Sequence, residues 1–221
     1  MAHCFTDRRD AGQRLARVVT VDLATAPAGV VLALPRGGVP IGYEIARALR
    51  WLLDVFVVRK LGVPGQAELA MGAIASGGLC TLNDRVINGL GISNNTIEAV
   101  TCRERENLAR LEQAYRGDRP FPALQGRDVV IVDDGLATGA SMRVALKALR
   151  LLDPARVIVA IPTAPEDTLR AMRDEADQVY VLVTPDPFVG VGASYADFSQ
   201  LSDQEVLSLL TRSFAEYEEQ R

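Results

Sequence analysis

The sequence predicts an α/β fold built on a doubly wound, mainly parallel sheet. Short unbroken apolar runs recur along the chain, as at residues 30–34 and 129–132, and such runs are typical of strands buried on both faces. Amphipathic segments follow most of these runs, and strands that alternate with helices form parallel βαβ units. The length of 221 residues, with 48% apolar and 24% charged residues, fits one globular domain with a sizeable core.

The first elements begin with a helix over about 7–21, where apolar residues recur at helical spacing. A strand over 30–34 follows and ends at Pro35, and a helix over 39–49 comes next. A second strand is predicted over 55–58. This strand, helix, strand order is the first parallel unit of the predicted sheet.

The second half repeats the alternation. It predicts strands over 129–132, 157–161 and 179–183, with helices over 139–152 and 165–175 between them. In the first of these helices Met142, Leu146 and Leu149 share one face, so this helix is expected to cover one side of the sheet.

Two stretches interrupt the alternation. Residues 59–127 contain a glycine-rich loop, short strands over 71–74 and 79–82, and a charged helix over 97–115. We interpret about 83–126 as an insertion. The stretch after residue 183 is rich in turn residues, and Ser202 with Glu205 then forms the capping-box pattern of a final helix over 203–219.

Composition excludes several kinds of chemistry. A formal net charge of −4 gives no general attraction to nucleic acid or anionic membranes, so any anion must bind at a local site. His3 is the only histidine, which argues against catalytic triads and zinc clusters. Cys4, Cys80 and Cys102 form no CxxC pair and are typical of reduced thiols. With no apolar run long enough to span a bilayer and no secretory signal, we expect a cytoplasmic protein without membrane or nucleic-acid partners.

Residues 129–142, VVIVDDGLATGASM, carry the strongest chemical signal. Four apolar residues lead into Asp133 and Asp134, and a loop of small residues then opens a helix. At the carboxyl end of a strand such a loop exposes backbone N–H groups at a positive helix N-terminus, which suits a phosphate. The two acids suit vicinal hydroxyls or a Mg²⁺-bound sugar pyrophosphate, although they could alternatively only cap a strand-to-helix turn. The lysine of a GxxxxGK[ST] loop is absent, so this is not a Walker A motif.

This stretch closely resembles the phosphoribosyl-pyrophosphate (PRPP) motif of type I phosphoribosyltransferases. The resemblance implies that Asp133 and Asp134 hold the ribose 2- and 3-hydroxyls and act as catalytic residues, with Mg²⁺ carried by PRPP near them. It also implies a 5-phosphate site in the loop that follows, formed by Gly135, Ala137, Thr138, Gly139, Ala140 and Ser141.

A second segment agrees with the resemblance. Residues 35–40, PRGGVP, follow the first buried strand and open a helix, where the family has its pyrophosphate loop. Gly37 and Gly38 could expose amides there, and Arg36 could neutralise charge. An ordinary β–α turn is the alternative interpretation.

A third segment, VVRKLGVPG at residues 57–65, looks like the Arg-Lys pair and mobile catalytic loop of the adenine and orotate enzymes. The resemblance implies that Arg59 binds substrate and that Lys60 is catalytic. Here the loop is short and has no further basic residue before Arg85. A neighbouring subunit could instead screen the charge of the leaving pyrophosphate. The arginines of the inserted helical region are the other candidates, namely Arg103, Arg105 and Arg116. The alternative interpretation of these arginines is a solvated helix face.

The C-terminal stretch after residue 183 resembles the hood by which purine enzymes hold the base. Within this hood, at about 184–200, Phe188 is the candidate for stacking on a planar ring, although Phe188 and Phe198 also fit as core residues. Residues 5–16, FTDRRDAGQRLA, resemble a subgroup of stand-alone bacterial phosphoribosyltransferase-like proteins without an assigned substrate. We therefore expect a single domain over 1–221 that includes the insertion, the hood and the final helix.

The resemblance implies Mg²⁺-dependent transfer of phosphoribosyl from PRPP to a nitrogen of a small heterocycle, with release of pyrophosphate. A nucleobase is the expected acceptor, purine is favoured, and a homodimer is expected. Positioning and charge stabilisation carry such a reaction, so the shortage of histidine is no objection. The alternative is a regulator of the same fold that binds PRPP or a nucleotide without turnover, which the short loop at 62–67 favours. A dinucleotide-binding domain is disfavoured because no GxGxxG follows the first strand.

Overall fold

The structure is a computed structural model that describes residues 4–220, apart from the side chains of Ala67 and Glu68. His3 lies outside the described residues. Cys4, Cys80 and Cys102 are all free thiols, as predicted.

A parallel sheet of five strands forms the centre of the protein, which confirms the predicted fold class. Its strands are β1 (Val30–Ala33), β2 (Leu52–Val55), β6 (Asp128–Val132), β7 (Arg156–Thr163) and β8 (Gln178–Val183). They lie in the order β2-β1-β6-β7-β8. Every residue of β1 and β6 is buried, which is why these segments are almost uninterrupted apolar runs.

Helices cover both faces of this sheet, so it is doubly wound. On one face lie α1 (Arg8–Leu23), α2 (Gly38–Leu49) and α7 (Asp203–Glu219), and on the other lie α5 (Ala140–Arg150) and α6 (Glu166–Glu175). Successive side chains of a strand point to opposite faces, so Val31 of β1 joins the first core and Leu32 joins the second.

A second sheet follows β2 and differs from the sequence prediction. It contains β3 (Val58–Val63), β4 (Gln66–Ala75) and β5 (Leu79–Leu82), all antiparallel. The predicted strand over 55–58 is wrong, because β2 ends at Val55 and β3 begins at Val58. The glycine-rich loop is also wrong, because residues 58–75 form a hairpin that turns at Pro64 and Gly65. The short strands over 71–74 and 79–82 are confirmed within β4 and β5.

A buried charge explains the misplaced strand. Asp54 lies inside β2, where the apolar pattern of a buried strand does not anticipate a carboxylate. Arg116 compensates it, since its Nε donates to both oxygens of Asp54, at 2.9 and 3.1 Å, and its Nη2 donates to the carbonyl of Val55 at 3.2 Å. This pair fixes the C-terminal end of α4 (Asn94–Arg116), which contains the predicted charged helix over 97–115, against the central sheet. A further short helix, α3 (Asp84–Leu90), was not predicted.

The C-terminal part returns to the N-terminus. Residues 191–194 form a short 3₁₀ helix, and residues 194–197 exchange backbone hydrogen bonds with residues 4–6. The capping box is confirmed at the start of α7, where the Ser202 hydroxyl accepts from the Glu205 amide and the Glu205 carboxylate accepts from the Ser202 amide. Among the helices between residues 4 and 220, none is long and apolar enough to cross a membrane.

Candidate active site

Two loops with chemically informative residues meet at the carboxyl edge of the central sheet. Asp133 and Asp134 follow β6, and residues 35–38 follow β1, which is the parallel neighbour of β6. The amide of Leu34 donates to the carbonyl of Val132 at 2.9 Å, so the two strand ends are held together. Topology alone therefore brings Arg36 beside the acid pair.

The glycines of the β1 loop allow this close approach. A Cβ on Gly37 would overlap the carboxylate of Asp134, and a Cβ on Gly38 would lie 2.5 Å from the carbonyl oxygen of Val132. Gly37 has φ −60° and ψ −35°, so space and not backbone conformation requires glycine here. The Pro35–Arg36 peptide bond is cis. The two glycines thus permit contact with the acid-pair loop, and this is a role that the sequence had not indicated.

The loop after the acid pair presents free backbone amides at the start of α5. The amides of Ala137, Thr138, Gly139 and Ser141 donate to no other group within residues 4–220. Gly139 caps the helix with φ +68°, a conformation that glycine adopts without cost. The carbonyl of Ala137 accepts from the Thr168 hydroxyl at 2.6 Å, which fixes the loop against α6. Exposed N–H groups at a helix N-terminus are suited to a phosphate.

A cleft of about 290 Å³ joins these features. Its walls include Arg36, Arg59, Asp133 and Ser141, all of which the sequence predicted as site residues, together with Tyr115 of α4. The cleft therefore has carboxylate, hydroxyl and guanidinium groups within one small volume.

Two predicted site residues lie elsewhere. Lys60 is exposed and does not line the cleft, because it follows Arg59 on β3 and successive residues of a strand point to opposite sides. Phe188 is half-buried in the hood beside the cis Asp186–Pro187 bond, and it too does not line the cleft. Phe198, by contrast, stacks on Tyr195 with ring centroids 5.0 Å apart.

The acid pair is electrostatically strained. Burial raises the pKa of Asp133 well above its usual value, and the neighbouring charge of Asp134 raises it further. The amide of Asp134 donates to Oδ1 of Asp133 at 2.9 Å, which opposes this rise. Burial also raises the pKa of Asp134, and the guanidinium of Arg8 opposes that rise. Two adjacent carboxylates held in this way favour ligands that donate hydrogen bonds or carry positive charge.

Arg8 is the site residue that sequence reasoning missed. Its Nε donates to Oδ2 of Asp134 at 2.8 Å, although the two residues are 126 positions apart. The segment FTDRRDAGQRLA carries a family resemblance, but nothing in its sequence separates Arg8 from the exposed Arg9. The two arginines differ only in the folded protein, where the start of α1 packs against the hood and places Arg8, but not Arg9, beside Asp134.

Two further ion pairs orient the basic residues of the cleft. Arg59 donates to Oε2 of Glu104 on α4 from Nε at 3.1 Å and from Nη2 at 3.0 Å. Arg36 lies 3.9 Å from Asp203 at the start of α7. Asp203 also accepts from the Tyr115 hydroxyl at 2.6 Å, and burial together with this bond raises the pKa of Tyr115 to about 12. Neutral Tyr115 therefore remains a donor at physiological pH.

Comparison with known proteins agrees with this geometry. A model of the phosphoribosyl transferase domain matches residues 14–196. The chain belongs to the phosphoribosyl transferase family. A Mycobacterium tuberculosis protein named "putative phosphoribosyl transferase" is 42% identical over 215 residues, which cover 97% of this chain and 48% of that protein. The chain thus spans about half the length of this relative.

Two other comparisons extend the family relationship. A protein of Thermus thermophilus, known from its crystal structure, is 41% identical and superposes with a TM-score of 0.82, covering 94% of this chain and 98% of that one. A uracil phosphoribosyltransferase of Lactobacillus delbrueckii is 27% identical over 146 residues, covering 62% of this chain and 65% of that protein. The domain model and the Mycobacterium tuberculosis relative thus show the family, and the Thermus thermophilus structure shares the fold.

Proposed function

We propose that this protein transfers phosphoribosyl from PRPP to a nitrogen of a small heterocyclic acceptor and releases pyrophosphate. The observation that carries the proposal is the meeting of Arg36, Arg59, Asp133 and Ser141 in one cleft beside the free amides of the α5 start. PRPP carries a 5-phosphate, vicinal hydroxyls and a pyrophosphate, and the cleft offers a matching group for each.

Each part of the site has a role in this proposal. The loop over 137–141 anchors the 5-phosphate through backbone amides and the hydroxyls of Thr138 and Ser141. Asp133 and Asp134 accept from the ribose hydroxyls and fix the position of the anomeric carbon. Arg36 and Arg59 neutralise charge on the departing pyrophosphate, and the amide of Gly37 adds a donor nearby. The sequence-based prediction that Gly38 also exposes its amide is wrong, because this amide donates to the carbonyl of Leu34 at 3.0 Å.

Mg²⁺ fits this site as a partner of PRPP and not as an ion bound by protein alone. Between residues 4 and 220 no group of three or more His, Cys, Asp or Glu side chains could hold a metal ion. Mg²⁺ commonly binds through one or two carboxylates together with substrate phosphates, and Asp133 and Asp134 are the carboxylates at hand. When bound, the ion supplies charge neutralisation on the pyrophosphate.

We further propose that the acceptor is a nucleobase held under the hood, with purine favoured, and that the protein acts as a homodimer. The turn-rich hood over 184–200, with half-buried Phe188, supports an acceptor site there. Lys60 is exposed and does not line the cleft of its own chain. A catalytic role for Lys60 therefore requires it to reach the cleft of the other subunit in the proposed dimer. Light scattering of the purified protein tests the dimer.

A screen for pyrophosphate release tests the function. The purified protein is incubated with PRPP, Mg²⁺ and a panel of purines, pyrimidines and related heterocycles. We expect release that depends on all three components and falls by about 10²-fold or more in Asp133→Asn and Asp134→Asn, since each removes an oriented polar contact of the transition state. Asp167→Asn is the matched control, because Asp167 has a 95% exposed side chain on α6. Full turnover in both acid-pair variants would refute the roles of these acids.

A regulator that binds PRPP without turnover is the second candidate. One observation favours it: the β3–β4 hairpin turns directly at Pro64 and Gly65, so this hairpin provides no long loop to cover the cleft. Calorimetry with PRPP and Mg²⁺ distinguishes the two candidates. Binding without pyrophosphate release across the whole acceptor panel would favour the regulator.

A further inference from the structure

Arg8 connects three separate parts of the protein through one guanidinium group. Its Nε donates to Oδ2 of Asp134 at 2.8 Å, and its Nη1 donates to the carbonyl of Ser199 in the hood, also at 2.8 Å. Its guanidinium carbon lies 3.9 Å from the centre of the Phe198 ring. An arginine can make these contacts at once because its guanidinium is planar, carries several donors and stacks on aromatic faces.

The hood touches Asp134 a second time through its backbone. The Tyr195 hydroxyl donates to the carbonyl of Asp134 at 2.6 Å, and the Tyr195 ring stacks on Phe198. Both the side chain and the main chain of Asp134 are therefore held by groups attached to the hood.

The N-terminal segment locks the hood against α1. The amide of Phe5 donates to the carbonyl of Ser194 at 2.9 Å, and the amide of Ala196 donates back to the carbonyl of Phe5 at 2.8 Å. The rings of Phe5 and Tyr195 lie 5.3 Å apart, and both residues are almost fully buried. Residues 4–8 and 194–199 thus form one unit, which we call the latch.

The Arg8–Asp134 contact is too buried to be a surface ion pair of little consequence. The side chains of Arg8 and Asp134 are 12% and 14% exposed. Surface pairs contribute little because water screens them, whereas a partly buried pair held by a charge-assisted bond fixes the geometry of both groups. Arg8 donates to Oδ2 of Asp134, and its guanidinium makes no hydrogen bond to Oδ1.

We propose that Arg8 is a positioning residue of the PRPP site, which holds the carboxylate of Asp134 in place and ties it to the hood. The inference rests on the proposed function, since it gives Asp134 a ribose to bind. Arg8 acts through Asp134 and not on the substrate.

Arg14 provides a matched control for Arg8. It also lies on α1, its guanidinium carbon is 4.8 Å from the ring centre of Phe5, and its Nη1 donates to the carbonyl of Cys4 at 2.6 Å. Arg14 therefore anchors the same latch by the same kinds of contact, yet none of its contacts reaches the acid pair. A purely structural role predicts the same effect for both arginines.

The test compares Arg8→Gln, Arg8→Lys and Arg14→Gln in the full chain. Calorimetry measures the affinity for PRPP with Mg²⁺, and ¹³C NMR of aspartate-labelled protein follows the side-chain carboxyl carbon of Asp134, assigned with Asp134→Asn. Thermal melts report folding. We expect Arg8→Gln to weaken PRPP binding by about tenfold to a hundredfold, the usual effect of losing a hydrogen bond to a charged group. Arg8→Lys should recover part of the affinity because the charge is kept, and Arg14→Gln should stay within about twofold of wild type.

The NMR signal separates this inference from the proposed function. The Asp134 carboxyl resonance should move in Arg8→Gln and stay unchanged in Arg14→Gln. Equal losses of affinity in the Arg8 and Arg14 variants, or wild-type affinity in Arg8→Gln, would overturn the positioning role. If the wild-type protein binds no PRPP, the proposed function fails on that result alone. The resonance then decides about Arg8, and an unmoved Asp134 signal in Arg8→Gln overturns the inference.

Discussion

Gly37→Ala is expected to remove most PRPP-dependent activity while the fold survives. Gly37 has helical backbone angles, so alanine introduces no backbone strain. Its Cβ would overlap one oxygen and the carboxyl carbon of Asp134 and would lie 3.0 Å from the other oxygen. Unstrained contacts between non-bonded atoms lie at about 3.5–4.0 Å, so the carboxylate must retreat by about 1.5 Å. Arg8 opposes this retreat.

A displacement of about 1 Å at a positioned group already costs on the order of 10²-fold in rate, so we expect kcat/KM for PRPP to fall by at least that factor. Pyrophosphate release measures it, and a thermal melt reports whether the protein is still folded. Gly89→Ala is the control, because Gly89 lies within α3 and a Cβ there meets nothing within 4 Å. A Gly37→Ala enzyme with kcat/KM within twofold of wild type would refute the reasoning that Asp134 must occupy this position.

Three further substitutions test the energetics. Asp133→Asn should raise the melting temperature at neutral pH. Because the pKa of Asp133 is raised in the folded state, the contribution of its carboxyl group to stability is fully present below the unfolded pKa of about 3.9 and is lost as pH rises through the folded pKa. The stabilisation by Asp133→Asn should therefore grow in thermal melts as the pH rises above about 4. A pH-independent effect would contradict this sign. Arg116→Met should destabilise by about 3–5 kcal/mol in urea unfolding, because Asp54 is left buried without its partner, and a cost below about 1 kcal/mol would show that the pair is not needed. Gly139→Ala should cost about 1–2 kcal/mol, since its φ of +68° is left-handed and a Cβ would lie 2.9 Å from the Thr168 methyl group, and unchanged urea unfolding would exclude that strain.

The parallel sheet was predictable because β1, β6 and β7 are buried on both faces and therefore carry long apolar runs. The helices that cover it were predictable for the related reason that each has one apolar face. The error at residues 55–58 has a specific cause. Asp54 interrupts the apolar run of β2, and its partner Arg116 is 62 residues away, so no local pattern shows that the charge is compensated. The hairpin over 58–75 was not predicted because its turn at Pro64 and Gly65 lies in the segment that resembles a mobile loop.

The acid pair and the loop after it could be singled out from local sequence, since the residues of each are adjacent at the end of one strand. The meeting of Arg36 with Asp133 was also predictable in outline, because β1 and β6 are parallel neighbours. Arg8 was not, since its role arises from contacts with residues 126 and 191 positions away. Lys60 shows the converse error, since a residue predicted for the site lies outside it. Lys60 directly follows Arg59 on β3, so its side chain points to the other side of the strand.

The most direct test of the proposed chemistry is pyrophosphate release by the 221-residue protein supplied with PRPP, Mg²⁺ and the acceptor panel. At least one heterocycle should give release that requires Mg²⁺ and falls by about 10²-fold or more in Asp134→Asn. Release that is absent with every acceptor, or equal in wild type and Asp134→Asn, would contradict a phosphoribosyl transfer centred on this acid pair.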